Sequence, residues 1–164
     1  MAKAFRRYTY LSCWHMADYE SAAMWRLYST THEAIAVQST FAKLQQLLPE
    51  HAHIGLVQYV DYESFMIPQG NTMSPFLFKR RSFEHEHEIR AVIQDSPFRA
   101  GQIDLNHEPD IAKHVPVDMS QLIEVLYVAP LTPDWYLDLV TKVTMRYGLR
   151  YPIRRSRLQD DPVL

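Results

Sequence analysis

From Phe83 to Ile93 the chain reads Phe-Glu-His-Glu-His-Glu-Ile-Arg-Ala-Val-Ile, a segment with a period of two. In an extended strand successive side chains point to opposite faces. Glu84, Glu86, Glu88 and Arg90 are therefore predicted on one face, and His85, His87 and Ile89 on the other. Three carboxylates around a single cation repel one another, so at least one is expected to hold its proton more tightly unless a partner compensates. Ala91-Val92-Ile93 extends the segment as an apolar run, which places the strand toward the middle of a sheet. The plainer alternative is an edge strand whose charges face water and deter edge-to-edge pairing.

The rest of the chain supplies both strands and helices. Tyr8 to Trp14 reads as a first, internal strand, and Glu20 to Ser29 as an amphipathic helix carrying Met24, Trp25, Leu27 and Tyr28. Ala34 to Ser39 alternates as a second strand, and Thr40 can cap a helix bearing Leu44, Leu47 and Leu48 that Pro49 closes. His53 to Tyr59 is a third strand, followed by a loop over Asp61 to Ser74. Short strands are expected around Gly101–Leu105 and Val115–Val117, and a buried one over Ile123 to Val128. Pro133 opens a helix that Gly148 stops, and Arg150 to Ser156 makes a last strand. The expected fold is α+β, a single domain over 1–164, with a mixed, mainly antiparallel central sheet flanked by helices. The length of 164 residues, 47% of them hydrophobic, suits one domain with a core.

Composition removes several functions. The four glycines, Gly55, Gly70, Gly101 and Gly148, are isolated, so the chain has neither a Walker A loop nor a GxGxxG fingerprint. A nucleotide ligand stays open, provided that arginine, hydroxyl, aromatic and carboxylate side chains hold it. A net charge of −2 marks neither a nucleic-acid coat nor a membrane coat. The lone Cys13 excludes an internal disulfide and a zinc ribbon. No apolar run approaches the roughly 18 residues of a membrane span. The opening MAKAFRRYTY has no apolar core, so it is not a signal peptide. A cytoplasmic protein without a membrane partner is expected; its oligomeric state is not legible.

Other side chains carry two readings each. His85 and His87 could ligate a metal, with Glu84 or a distant histidine completing the set, but that spacing arises easily by chance among eight histidines, and no metal is expected. His15 could meet a ligand at a strand end or satisfy its ring locally. Trp25 and Tyr28 could pack in the core, or one of them could stack on a ligand ring with Arg26 nearby. From Leu139 to Gln159 there is no acid, and Lys142, Arg146, Arg150, Arg154, Arg155 and Arg157 could hold nucleic-acid phosphates. They could equally be a solvated face, with Arg146 near a helix C-terminus. Lys79, Arg80 and Arg81 form a second basic cluster.

Ser12-Cys13-Trp14-His15, Ala23 to Tyr28, Ala34 to Thr40, Val57-Gln58-Tyr59 and Lys79 to Val92 together resemble the domain of unknown function 2971 family. The likeness extends to Leu122–Pro130 and Tyr147-Gly148-Leu149, and so covers most of the chain. It implies a bacterial or phage-associated protein and little about activity. Where His87 stands, relatives of the subgroup often carry a cation, which weakens His87 as a ligand.

The order of three elements is also similar to that of arginine-type ADP-ribosyltransferases: Arg6 or Arg7, then Gln38-Ser39-Thr40-Phe41, then Glu86-x-Glu88. This likeness implies an NAD-using transferase or glycohydrolase, of the kind found among toxins and phage-defence effectors. Glu88 would steady the oxocarbenium-like charge, Glu86 would orient the acceptor, and Ser39 would stand at the serine position. Arg6 or Arg7 would hold the pyrophosphate, Trp25 or Tyr28 would stack on nicotinamide, and Arg90 would join the NAD site. Two alternatives stand beside it. One is a module that binds a nucleotide-like molecule or nucleic acid without turnover. The other is a nuclease holding a metal ion with Glu84, Glu86 and Glu88.

Overall fold

The computed structural model describes residues 5–160 except 30, 32, 69, 96, 97, 100, 101, 105 and 106, with backbone alone for 98, 99, 102 and 103. The strands, in chain order, are β1 (Thr9–His15), β2 (Ile35–Gln38), β3 (His53–Leu56), β4 (Gln58–Val60), β5 (Phe78–Arg80), β6 (Glu88–Gln94), β7 (Phe98–Arg99), β8 (Gln102–Ile103), β9 (Val125–Val128) and β10 (Ile153–Arg155). The α-helices are α1 (Ala22–Tyr28), α2 (Phe41–Leu47), α3 (Met119–Leu122) and α4 (Asp134–Arg146), and 3-10 turns span Arg6–Tyr8, Ser74–Leu77 and Arg81–Glu86. The fold is α+β, and its pairings are antiparallel except β4–β5 and β9–β10. The chain groups into two compact units, Met1–Met16 with Pro49–Val115 and Ala17–Leu48 with Pro116–Leu164.

In the first unit β6 lies between β1 and β3. Its apolar residues explain that position: Ile89, Ala91 and Ile93 are buried on one face and Val92 on the other, where water could not satisfy an unpaired backbone. The expectation of an internal β1 is corrected. Among the described residues β1 pairs with β6 alone, and Leu11, Ser12 and Cys13 are exposed. The period-two segment is corrected as well. Arg81–Glu86 is a 3-10 turn, His87 is left-handed at φ 41°, and the strand begins only at Glu88. Alternation of charge favours a strand only if the backbone stays extended. Here the His87 amide bonds back to the Glu84 carbonyl (3.2 Å) and closes the turn. Glu84, Glu86 and Glu88 therefore do not share a strand face, and neither do His85 and His87.

The second unit centres on β9, flanked by the antiparallel β2 and the parallel β10. Val128 and Leu126 are buried there, with Leu122, Ile123 and Val140 around them. Local signals work well in this unit. Thr40 Oγ1 accepts from the Lys43 amide (3.3 Å) at the start of α2. Gly148, at φ 72°, ends α4 in a Schellman motif: its amide donates to the Met145 carbonyl (2.9 Å) and that of Leu149 to the Thr144 carbonyl (3.1 Å). Gly148→Ala is expected to destabilise the protein by about 1–2 kcal/mol, read as a lower thermal midpoint, because a Cβ disfavours that backbone conformation. Val115–Val117 forms no strand. Of the expected short strand near 101–105, β8 is present, and Gly101 and Leu105 lie outside the described residues.

Candidate functional site

At the first residues of β6 the first unit gathers a cluster of charges. β4 and β5 run parallel with Tyr59 opposite Lys79, and this pair delivers both side chains to Glu88. Glu86 and Glu88 are only 7% and 6% exposed. Arg90 grips Glu88 with both arms of its guanidinium, Nε to Oε1 (2.9 Å) and Nη2 to Oε2 (2.9 Å), and its Nη1 donates to the Phe76 carbonyl. Lys79 Nζ donates to Glu86 Oε2 and to Glu88 Oε2 (3.3 Å), and lies 4.9 Å from the centre of the Phe83 ring. Tyr59 Oη accepts from the Glu88 amide (2.7 Å). Cys13 lies across from Arg90 in the β1–β6 ladder, near Glu88. The turn at His87 explains the convergence, because it lets Glu86 fold back to the same ammonium group that Glu88 touches.

The titration of these groups follows from their neighbours. Burial alone would raise the Glu88 carboxyl, but the hydrogen bonds from Arg90, the nearby Cys13 thiol and the charges of Arg90 and Lys79 outweigh it and pull it down to about 2. Partial desolvation of its sulfur, reinforced by Glu88, pushes the thiol of the otherwise exposed Cys13 up to about 11. Because Glu88 is depressed in the fold, its contribution to stability is complete above its ordinary value of 4.5 and is lost as the pH falls toward 2. Denaturant midpoints measured between pH 6 and pH 2 are expected to fall across that window, and Glu88→Gln is expected to flatten part of the fall.

This environment limits the chemistry. An ionised carboxylate offers about four acceptor positions. Those of Glu88 meet Arg90 twice and Lys79 once. Both oxygens are thus engaged by cations, so a substrate hydroxyl or a metal ion would have to compete with them. Glu84 is exposed and apart from the buried pair, so the expected carboxylate trio is not assembled. No group of three His, Cys, Asp or Glu suited to a metal ion occurs among the described residues. His15 donates from Nδ1 to the Glu86 carbonyl (2.6 Å), with the His87 ring edge-on at 6.3 Å, so it satisfies its ring locally at that atom.

The remaining candidate residues are dispersed. Arg6 and Arg7 are exposed on the turn before Thr9, which pairs with Gln94, whereas Glu88 pairs with His15. The length of β6, about 20 Å at roughly 3.3 Å per residue, therefore separates them from Glu88. Ser39 belongs to the second unit, where its hydroxyl donates to the Leu122 carbonyl (2.6 Å). Of the C-terminal cations, Arg155 pairs with Asp134 and Arg157 with Asp160 (both 2.6 Å). Lys142, Arg146, Arg150 and Arg154 are exposed and make no ion pair among the described residues.

Trp25 lies elsewhere, in a cleft of about 540 Å³ within the second unit. Its walls include Trp25, Arg26 and Ser29 from α1 and its C-terminal end, Glu33 before β2, Leu131 between β9 and α4, and Leu158 after β10. Trp25 Nε1 donates to Glu20 Oε2 (3.2 Å), which fixes one end of the indole, and Arg26 has no acidic partner among the described residues. Tyr28 is exposed and is not one of the walls. The pairing of Trp25 with Arg26 was legible in the sequence. Leu131 and Leu158 were not, because nothing local links them to α1. Nor was Lys79 identifiable as the cation between Glu86 and Glu88, since it stood in a run of three basic residues.

No family model, curated protein or solved structure matches this chain. No helix among the described residues is long and apolar enough to cross a membrane.

Proposed function

We propose that the protein is a binding module for a nucleotide-like small molecule, which it holds in the Trp25–Arg26 cleft without turning it over. The observation that carries this reading is one cleft that brings together a flat indole, a guanidinium without an acidic partner among the described residues, the polar Ser29 and Glu33, and the apolar Leu131 and Leu158. Its volume is in the range of small-molecule sites, roughly 300–1,000 Å³. A base would stack on Trp25 and a phosphate would meet Arg26, a grip that uses no glycine loop. Thermal-shift screening of the full chain against nucleoside mono-, di- and triphosphates tests the reading. A saturable rise in midpoint for at least one of them supports it, and no shift across the set refutes it.

A second reading, nucleic-acid docking, is favoured by the exposed cations Lys142, Arg146, Arg150 and Arg154. If all four meet phosphates of a single strand, the slope of log K against log salt is expected near −2.8, about 0.7 per contact. Binding indifferent to salt excludes it. An NAD-using transferase or glycohydrolase is supported by Glu86-x-Glu88 alone, and it would require those carboxylates to leave Lys79 and Arg90. NAD consumption by the purified wild-type protein would favour it over a module without turnover.

A further inference from the structure

The helix α4 carries apolar residues on two sides. Val140 and Thr144 face inward. On the outer side Trp135, Leu139 and Val143, with Tyr147 directly after the helix, are 56%, 46%, 44% and 76% exposed. A spacing of four sets these side chains in one oblique row, the kind of ridge that packs against the same ridge of another helix. A row of large exposed apolar side chains on an otherwise charged surface marks a contact surface. We propose that this row is a homodimer interface, in which α4 of two copies pack antiparallel about a two-fold axis that crosses the row midway between Leu139 and Val143, at the height of Thr141.

Two features of the row select a second copy as its occupant. The first is its palindrome: aromatic, aliphatic, aliphatic, aromatic. Antiparallel pairing about Thr141 sets Leu139 of one copy against Val143 of the other, and Trp135 against Tyr147, so like shapes meet twice under one symmetry operation. The second is charge. Asp138, Lys142 and Arg146 form a flanking row with the same spacing of four, are all exposed, and make no ion pair among the described residues. Under the same two-fold, each Asp138 falls beside Lys142 and Arg146 of the other copy. A parallel pairing would carry the two flanking rows to opposite sides of the interface, and Asp138 would lose these cationic neighbours. A nucleic acid would use the two cations but would leave Leu139 and Val143 uncovered.

Sedimentation equilibrium of the full chain, from low to high micromolar concentration, tests the proposal. The expected result is a mass rising with concentration from 19.3 kDa toward twice that value. Leu139→Asp with Val143→Asp is expected to raise the dimer Kd at least about tenfold. Because that variant could disturb the fold, circular dichroism accompanies it and a charge exchange provides a second arm. Asp138→Lys alone is expected to weaken association, and adding Lys142→Asp and Arg146→Asp is expected to restore it. A mass fixed at 19.3 kDa at every concentration overturns the proposal. A dimer indifferent to the apolar variant with an intact fold overturns it, and so does a charge exchange that restores nothing. A chain that gains mass only when an oligonucleotide is added also overturns it and assigns the cations to nucleic acid.

Discussion

Glu88→Gln is expected to lower the unfolding free energy by about 3–5 kcal/mol, the usual effect of removing one partner from a buried ion pair. The amide keeps the shape of the carboxylate, so no cavity term enters. What changes is the charge that Arg90 and Lys79 face. Lys79 keeps Glu86, but the largely shielded Arg90 guanidinium is left against a neutral group, with the Phe76 carbonyl as its remaining acceptor among the described residues. The effect is read from the urea midpoint at constant m-value. Glu88→Leu combined with Arg90→Met is expected to cost less than the two single changes added together, since it leaves no uncompensated charge at Glu88. A Glu88→Gln midpoint equal to the wild type would contradict the account of Glu88 as a partnered structural carboxylate.

Trp25→Ala is expected to weaken nucleotide binding roughly 5- to 150-fold, the equivalent of about 1–3 kcal/mol for one base stacked on one aromatic ring. Because the other end of the indole is held by Glu20, the ring is oriented before the ligand arrives, and little ordering entropy is spent on binding. Trp25→Phe keeps a flat face and is expected to retain most of the affinity. Arg26→Ala is expected to remove the salt-sensitive part of binding while leaving the stacking part. Equal affinities in the wild type and Trp25→Ala would show that the ligand sits elsewhere.

The parts of this fold that were legible are those determined within a few residues. Thr40 caps a helix through the amide three positions on, and Gly148 takes the left-handed backbone that α4 needs to stop. Both are local bargains between a side chain, or its absence, and nearby amides. The apolar runs of β6 and β9 were legible for a related reason, since a strand buried on both faces has few alternatives. The start of β6 was not. His87 carries no sequence sign of a left-handed backbone, and a period-two pattern continues unchanged through a turn. The partnering of Glu86 and Glu88 was hidden because Lys79 reaches them through the β4–β5 pair, and β5 was not among the expected strands. In the second unit, α1 placed Trp25 beside Arg26, yet the opposite wall of the cleft comes from segments about a hundred residues or more further along the chain. Only tertiary structure brings such segments together.

On the proposed reading one cleft in the second unit binds a nucleotide-like molecule, while the carboxylates at the start of β6 are structural partners of Lys79 and Arg90. Calorimetric titration of nucleoside phosphates into the wild-type chain and into Trp25→Ala tests it most directly. Saturable, one-to-one heat is expected with the wild type, strongly weakened in the variant. Heat that is absent from both, or unchanged in the variant, would contradict it.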